Sequence, residues 1–308
     1  MNQRQLYWLM FLLMALVLIL DKPAKVVPVP MLDPMEDRTE LPSNSKKASG
    51  NESTYPVGLA LSGGGVKAFA HVGVLKALEE QGVRPNIISG VSAGAIVGAL
   101  YSDGYSPDSI VALFDSIRVM DYFQWELPNG GLLSMNGFRR FLDEKLTAET
   151  FEELSIPLRV VATNLDQGSS VVFSSGNLVD ALIASSSVPV LFNPYLIDGV
   201  NYVDGGVLQN LPASALRSSC KTLIGVSLGP ISANPYQKSI LDIALRSYKF
   251  IFRNNAVRAK AMCDILIEPA RISAYNGADI MHFDEIYQIG YEEALLMLEE
   301  NQLFQALK

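Results

Sequence analysis

Ser92 is the residue whose surroundings most clearly predict chemistry, because it lies in the pentapeptide Gly90-Val91-Ser92-Ala93-Gly94. Apolar residues precede the pentapeptide and small apolar residues follow it, so the pattern predicts a strand, a sharp turn and a helix. A serine on such a turn presents its hydroxyl at the strand end, while Gly90 and Gly94 keep side chains away from the turn. The pentapeptide therefore predicts a nucleophilic serine, and a glycine-rich turn without chemistry is the alternative.

A second glycine-rich segment, made of Gly63, Gly64 and Gly65, lies between an apolar strand pattern and a helical pattern. Successive amides at a helix N-terminus bind anions, which leaves two interpretations open. The three amides hold an oxyanion, or the spacing through Ala68 belongs to a dinucleotide-binding loop. A dinucleotide loop also needs an acidic residue about 20 positions further on, at the end of the second strand. This chain has Ser92 there, which favours the oxyanion interpretation.

One carboxylate and two histidines are the remaining candidate groups. Asp204 lies at a predicted strand end before Gly205 and Gly206, a sequence that on its own is typical of a turn. A Ser-His-Asp triad would need His71 or His282 as its base, since the chain has 2 histidines. His71 lies on the helix predicted after the glycine-rich segment, and His282 lies in a late irregular segment after Asp279. Neither is placed as a triad histidine would be in an ordinary α/β-hydrolase, where it follows the acid on a loop. A serine–aspartate pair is therefore favoured, with a triad through His282 as the alternative.

The elements that must position these groups alternate between strand and helix patterns, which predicts an α/β fold. The expected architecture is a three-layer α/β/α sandwich with a mostly parallel central sheet. Strands are predicted at 57–61, 87–88, 158–164, 170–174, 195–197, 202–203, 222–228 and 265–268. Helices are predicted at 66–81, 95–100, 107–117, 138–146, 177–187, 239–262 and 283–307. Asp198-Gly199 indicates a hairpin turn, and 121–133 is predicted to be an irregular aromatic loop.

Composition narrows the class of protein. The chain has 308 residues and a formal net charge of −8, which argues against a nucleic-acid partner. Its two cysteines, Cys220 and Cys263, lack zinc-ligand spacing, and we expect free thiols unless an exported chain pairs them. The predicted chemistry requires no metal and no cofactor.

The N-terminal segment predicts export or membrane contact. Leu6 to Leu20 is uncharged and mostly apolar, a length that fits a signal sequence better than a full membrane span. We expect a signal sequence or membrane anchor at 1–20, a proline-rich linker at 21–54 and the catalytic domain at 55–308. The expected location is the bacterial periplasm or envelope, with the N-terminal segment on the membrane surface.

Four motifs together resemble the patatin-like phospholipase family. They occur in the family's order and at compatible spacing, and they are Ser62 to Lys67, Gly90 to Gly94, Ala184 to Pro189 and Tyr202 to Gly206. The likeness covers roughly residues 55 to 228. The family usually has glycine where this chain has Ala68.

The resemblance implies a patatin-like sandwich and a catalytic dyad. Ser92 would be the nucleophile, Asp204 the general base, and the amides of Gly63, Gly64 and Gly65 the oxyanion hole. The implied activity is hydrolysis of a membrane lipid or acyl ester through an acyl-enzyme, as in phospholipases A and lysophospholipases. Two alternatives are a lipid acyltransferase with the same dyad and an inactive membrane-tethered scaffold.

Overall fold

The computed structural model of the protein describes residues 55–115, 124–125, 131–229, 240–275 and 280–300. The strands are β1 (Tyr55–Leu61), β2 (Ile87–Val91), β3 (Gln124–Trp125), β4 (Gly131–Ser134), β5 (Leu158–Asn164), β6 (Ser169–Phe173), β7 (Val190–Phe192), β8 (Tyr195–Ile197), β9 (Val200–Asp204), β10 (Cys220–Val226) and β11 (Ile265–Ile267). The helices are α1 (Phe69–Glu80), α2 (Ala93–Ser102), α3 (Pro107–Asp115), α4 (Asn136–Lys145), α5 (Leu178–Ser186), α6 (Gly206–Gln209), α7 (Ile240–Lys260) and α8 (Phe283–Glu300).

Within the described residues the central sheet contains eight strands, and its parallel part runs in the order β11-β10-β1-β2-β5. The strands β6 and β9 both run antiparallel to β5, and β8 pairs antiparallel with β9. The predicted mostly parallel sheet is confirmed, with antiparallel strands added beside β5.

Two hydrophobic clusters show that helices cover both faces of this sheet. Leu59 and Leu61 of β1 belong to the larger cluster, with side chains from α1, α2 and α5. Ala60, between them, belongs to a smaller cluster with Ala256 and Ala259 of α7. Successive side chains of a strand point to opposite faces, so the two clusters lie on opposite sides of β1. The predicted three-layer α/β/α architecture is therefore confirmed.

A small three-stranded sheet replaces part of the predicted aromatic loop. The strand β4 pairs antiparallel with β3 and parallel with β7. The prediction of an irregular loop at 121–133 was wrong for β3 and for the start of β4. Each strand is short and β7 lies far along the chain, so no local pattern identifies the pairing. Residues 116–123 and 126–130 lie outside the described residues.

The hairpin that leads to Asp204 has the predicted turn. Asp198 and Gly199 adopt φ of 49° and 80° and join β8 to β9. Two successive positive φ angles match the twist of paired strands, and aspartate and glycine tolerate them. The Asp-Gly sequence was therefore sufficient to locate the turn.

The helix after the glycine-rich loop is held by close backbone packing. A Cβ atom on Gly73 of α1 would lie 2.1 Å from the carbonyl oxygen of Tyr287, and one on Gly290 of α8 would lie 2.1 Å from that of Ala70. Only glycine permits this approach, so α8 fixes α1 and the loop from which α1 begins.

The predicted localisation is contradicted. Among the described residues, no helix has both the length and the apolar content needed to cross a bilayer. The two longest, α7 and α8, carry charged residues along their length. Residues 1–54, which contain the predicted signal or anchor and the linker, lie outside the described residues, and the domain division stays a prediction.

Candidate active site

The strand register brings Ser92 and Asp204 together. The strand β6 occupies one edge of β5 from Val160 to Asn164. Both β2 and β9 must therefore pair with the other edge, β2 ending where Val91 faces Val161 and β9 ending where Asp204 faces Ala162. The C-terminal ends of the two strands thus meet one register step apart, about 3.3 Å along β5.

Ser92 occupies a strained turn between β2 and α2. Its backbone has φ of 53° and ψ of −131°, a positive φ that is uncommon outside glycine. Its side chain is partly exposed, whereas Val91 is buried. The turn thus lifts the hydroxyl out of the sheet, as predicted for a nucleophile elbow.

Ser185, at the end of α5, holds this turn in place. Its fully buried Oγ accepts a hydrogen bond of 2.9 Å from the Ser92 N–H and donates one of 2.7 Å to the carbonyl of Val161. A hydroxyl can make both bonds at once, which an apolar side chain cannot. Ser185 therefore joins the Ser92 turn to β5.

Asp204 is buried in an environment that raises its basicity. Its Oδ1 accepts a 2.7 Å hydrogen bond from the Gly206 N–H, and its own N–H donates to the carbonyl of Ser187 at 2.9 Å. Burial raises the pKa of the carboxyl to about 6, opposed by hydrogen bonding from the Ser92 hydroxyl and the Gly206 amide.

The contact between the two side chains is close but not aligned. The Ser92 hydroxyl lies close enough to the Asp204 carboxylate to oppose part of the rise in pKa that burial causes. Among the described residues, Oδ2 nevertheless has no hydrogen bond of standard geometry. Catalytic hydrogen bonds are often loose before substrate binds, so the geometry fits a base that completes its bond later.

The glycine loop borders the serine, but its three amides are not equivalent. A Cβ on Gly63 would lie 3.2 Å from the Cβ of Ser92. The Gly63 N–H is already used, because it donates to the carbonyl of Asn210 at 3.1 Å. Within the described ranges, the amides of Gly64 and Gly65 donate no hydrogen bond. The predicted oxyanion role therefore suits Gly64 and Gly65, whereas Gly63 would first have to release Asn210.

His71 supports the glycine loop from below. Its Nε2 lies 2.7 Å from the carbonyl oxygen of Ser62 and donates to it, which fixes the tautomer. Complete burial lowers the pKa of the imidazole to about 4, so the ring is neutral at pH 7. His71 thus holds the loop through the Ser62 carbonyl.

His282 is placed away from these groups. It lies in the short turn directly before α8, with about half of its side chain exposed, and its partners are the Glu285 carboxylate at 3.4 Å and the Tyr275 ring. Neither ring therefore contacts Ser92 or Asp204, and a histidine triad gains no support.

The motif glycines allow close packing around the two strand ends. A Cβ on Gly90 would lie 2.4 Å from the Cα of Ala95, and one on Gly94 would lie 2.5 Å from the carbonyl oxygen of Ser62. One on Gly205 would lie 2.2 Å from the carbonyl oxygen of Val161, and one on Gly206 would lie 2.9 Å from Oδ1 of Asp204. These approaches leave no space for side chains.

Sequence reasoning missed two supporting asparagines. Asn255 of α7 donates through Nδ2 to the carbonyl of Gly206 at 2.7 Å and accepts the Asn210 N–H at 2.9 Å. Asn210 in turn accepts the Gly63 amide, so one chain of bonds links α7, the aspartate turn and the glycine loop. An asparagine within a long helical pattern gives no signal of this. Ser185 lies in a motif that the sequence did single out, without its role.

Comparison with known proteins agrees with the motifs. A family model for patatin-like phospholipase matches residues 59–217, just over half of the chain. Lysophospholipase NTE1 of Kluyveromyces lactis is 27% identical over 276 residues, 78% of this chain and 19% of that protein. Human patatin-like phospholipase domain-containing protein 6 is 26% identical over 279 residues, 77% of this chain and 20% of that protein.

The chain spans about a fifth of the length of these curated relatives. Among solved structures, VipD from Legionella pneumophila aligns over 80% of this chain and 67% of that chain, at 16% identity and a TM-score of 0.47.

Proposed function

Because this chain belongs to the patatin-like phospholipase family, we propose that it is a carboxylic ester hydrolase acting on acyl lipids. Ser92 is the nucleophile and Asp204 the general base in this proposal. The lysophospholipases among its relatives make a lysophospholipid the first substrate class to test. Their names give no support to the acyltransferase or scaffold alternatives.

The end-to-end meeting of β2 and β9 on β5 carries the proposal. It puts a strained, partly exposed serine beside a buried carboxylate without requiring either side chain to reach across a strand. An ordinary Asp-Gly turn would have no need of a buried carboxylate, since burying charge is costly.

In the first step, Ser92 attacks the ester carbonyl and Asp204 takes the hydroxyl proton. A normal aspartate, with a pKa near 3.9, is a weak base at neutral pH. The raised pKa of Asp204, about 6, brings its basicity nearer to the working pH while leaving most of it ionised at pH 7.

The amides of Gly64 and Gly65 stabilise the oxyanion that forms on the carbonyl oxygen. They are free to donate, and the N-terminus of α2 adds its positive dipole behind Ser92. Loss of one such donor typically costs about 10²–10³ in kcat. Gly63 contributes by its lack of a side chain and by anchoring the loop to Asn210.

Collapse of the tetrahedral intermediate breaks the ester bond, and protonated Asp204 gives its proton to the leaving alcohol. Water then attacks the acyl-enzyme, with Asp204 again taking a proton. A second oxyanion forms at the same amides, and its collapse releases the acid while protonated Asp204 returns its proton to the Ser92 oxygen. Asp204 thus takes and returns each proton in the proposed cycle, and no second acid or base is needed.

The direct test is release of fatty acid from lysophosphatidylcholine and from a short-chain soluble ester. We expect Ser92→Ala to reduce kcat/KM by about 10⁴–10⁶, as loss of a serine nucleophile does elsewhere. Ser102→Ala is the matched control, because this buried serine ends the same helix and its Oγ has no partner among the described residues. Activity that survives Ser92→Ala would refute the proposed function.

A further inference from the structure

The helix α7 has an apolar stripe on the side that faces away from the sheet. Ala256 and Ala259 are buried against the core, as expected for one face of a surface helix. On the opposite face, Ile243, Phe250 and Val257 are 48%, 51% and 60% exposed. They recur every seven residues, so they fall within about 40° of one another and extend over about 21 Å.

Positive charge borders this stripe. Arg246 and Arg253 lie on one side of it and Arg258 on the other, by their positions around the helix. The Arg246 guanidinium also lies 5.8 Å from the centre of the Phe250 ring. The segment 240–260 contains five Lys or Arg and one Asp, a net charge of +4, whereas the whole chain carries −8.

The helix begins on the same side of the sheet as the candidate site. It leaves β10 and returns to the parallel strand β11, so it starts near the carboxyl ends of the parallel strands. Asn255 already contacts Gly206, beside Asp204. The 15 residues of α7 that precede Asn255 span about 22 Å at 1.5 Å per residue. The first turns of α7 therefore extend beyond the candidate site.

We propose that this face of α7, the α7 docking face, binds the surface of an anionic lipid aggregate. The inference rests on the proposed function, because a lipid substrate is found at such a surface. Apolar side chains on a basic helix enter the boundary between head groups and acyl chains while the arginines contact lipid phosphates. Binding there would turn the edge that carries Ser92 towards the lipid.

Charge also argues against a second copy of this chain as the partner. In a symmetric dimer the same surface patch occurs on both subunits. Arg246, Arg253 and Arg258 of one subunit would then face the same arginines of the other. An anionic lipid surface complements this charge, which is opposite in sign to that of the chain as a whole.

The experiment measures co-sedimentation of the full chain with sucrose-loaded vesicles. The Ser92→Ala variant is used so that lipid is not consumed. Vesicles of phosphatidylcholine alone are compared with vesicles that contain 30% phosphatidylglycerol, in low and high salt. We expect at least 25-fold stronger binding to the anionic vesicles, and a loss of that difference in high salt.

Two double variants dissect the face. Phe250→Ser with Val257→Ser should weaken binding to anionic vesicles at least ten-fold. Arg253→Gln with Arg258→Gln should weaken it about 25-fold, at roughly five-fold for each charge, and should hardly change binding to phosphatidylcholine. All four positions are exposed, so folding should be retained and is checked by circular dichroism.

The controls are single substitutions of the same kinds on other helices. Leu296→Ser on α8 removes a side chain that is 54% exposed, and Arg140→Gln on α4 removes an exposed charge. Both should change binding less than two-fold. Equal losses in these controls, or unchanged binding of the α7 variants, would overturn the proposal. A change in molecular mass of the α7 variants by analytical ultracentrifugation, without a change in vesicle binding, would identify the face as a dimer contact instead.

Hydrolysis of the soluble ester by chains that retain Ser92 separates this proposal from the proposed function. The α7 variants should keep full activity on that ester. Vesicle binding as expected in a chain without esterase activity would refute the function but not the docking face. Full esterase activity with no binding to anionic vesicles would refute only the docking face.

Discussion

The two strand ends that meet at the site differ in how they hold their functional groups. Ser92 leaves β2 with a positive φ and a partly exposed side chain, and a side-chain hydroxyl, that of Ser185, supports its backbone. Asp204 ends β9 within the strand, 1% exposed, and its N–H bonds to a backbone carbonyl. One group is exposed by backbone strain, and the other is made basic by burial.

The two groups meet different requirements: Ser92 must be accessible to substrate, and Asp204 must be basic. A nucleophile must be accessible to substrate that arrives from solvent, whereas burial away from water raises the basicity of a carboxylate. Both turns are nevertheless attached to one element, because Ser185 bonds to the Ser92 amide and Ser187 to the Asp204 amide. The end of α5 thus sets the relative position of two groups with opposite needs.

Replacing the buried carboxylate should have the largest effect on this comparison. We expect Asp204→Asn to lower kcat/KM by about 10⁴, because the amide cannot take the Ser92 proton. Fatty-acid release from the soluble ester measures the loss. Asp198→Asn, in the hairpin turn, should leave activity unchanged. Near-full activity of Asp204→Asn would contradict this comparison, because the buried carboxylate would then not be the base.

The same variant should gain stability at neutral pH. The pKa of Asp204 is raised by folding from 3.8 to about 6, so its contribution to stability is present below pH 4 and is lost as pH rises through 6. Above that, the buried charge costs up to about 3 kcal/mol, which the amide avoids. In thermal unfolding, the midpoint temperature of Asp204→Asn should be higher than that of the wild type at pH 8 and equal to it near pH 4.

Removing the support of the strained turn should have an intermediate effect. We expect Ser185→Ala to lower kcat by about 10- to 100-fold with little change in KM, since a small misplacement of a nucleophile can cost 10². Ser186→Ala is the neighbouring control, because its buried hydroxyl has no partner among the described residues. Partial rescue in Ser185→Cys, which retains a weak donor, would distinguish positioning from packing. Equal losses in both alanine variants would contradict the role.

The pH dependence of kcat/KM directly tests the basicity of the buried Asp204 carboxylate. Because the base must be ionised, kcat/KM should fall about ten-fold per unit of pH below about 6, the raised pKa of Asp204. Measurement on the soluble ester avoids effects of lipid charge. The profile of His282→Ala should match that of the wild type. If kcat/KM of His282→Ala no longer fell below pH 6, His282 would be the titrating base, and the triad would be favoured.

The smallest predicted effect concerns the strain at the nucleophile. The free energy of unfolding should be larger for Ser92→Gly than for Ser92→Ala by about 1 kcal/mol or more, because glycine adopts φ of 53° without a Cβ penalty. Both variants are inactive, so only unfolding distinguishes them. Equal stability would mean that the turn stores no strain.

Much of this arrangement could be predicted from local patterns. The strand β5 was predicted with its observed bounds, and the Asp198-Gly199 turn followed from its dipeptide. The glycine spacing around Ser92 located the turn before α2. These features depend on neighbouring residues, whose apolar period and backbone preferences are visible in the sequence.

The contacts that refine the site could not be predicted in the same way. The end-to-end meeting of β2 and β9 depends on which edge of β5 each strand takes, and that choice is tertiary. The bond between Gly63 and Asn210 joins residues far apart in the chain, as does the pairing of Asn255 with Gly206. Hydrogen-bond partners at such separations leave no periodic trace in the sequence.

The most direct measurement is covalent labelling with a fluorophosphonate, followed by peptide mapping of wild type and Asp204→Asn across pH. The account predicts one adduct, on Ser92, forming at a rate that falls below pH 6 and is reduced by orders of magnitude in the variant. Labelling at another residue, or equal labelling rates in the two proteins, would contradict it.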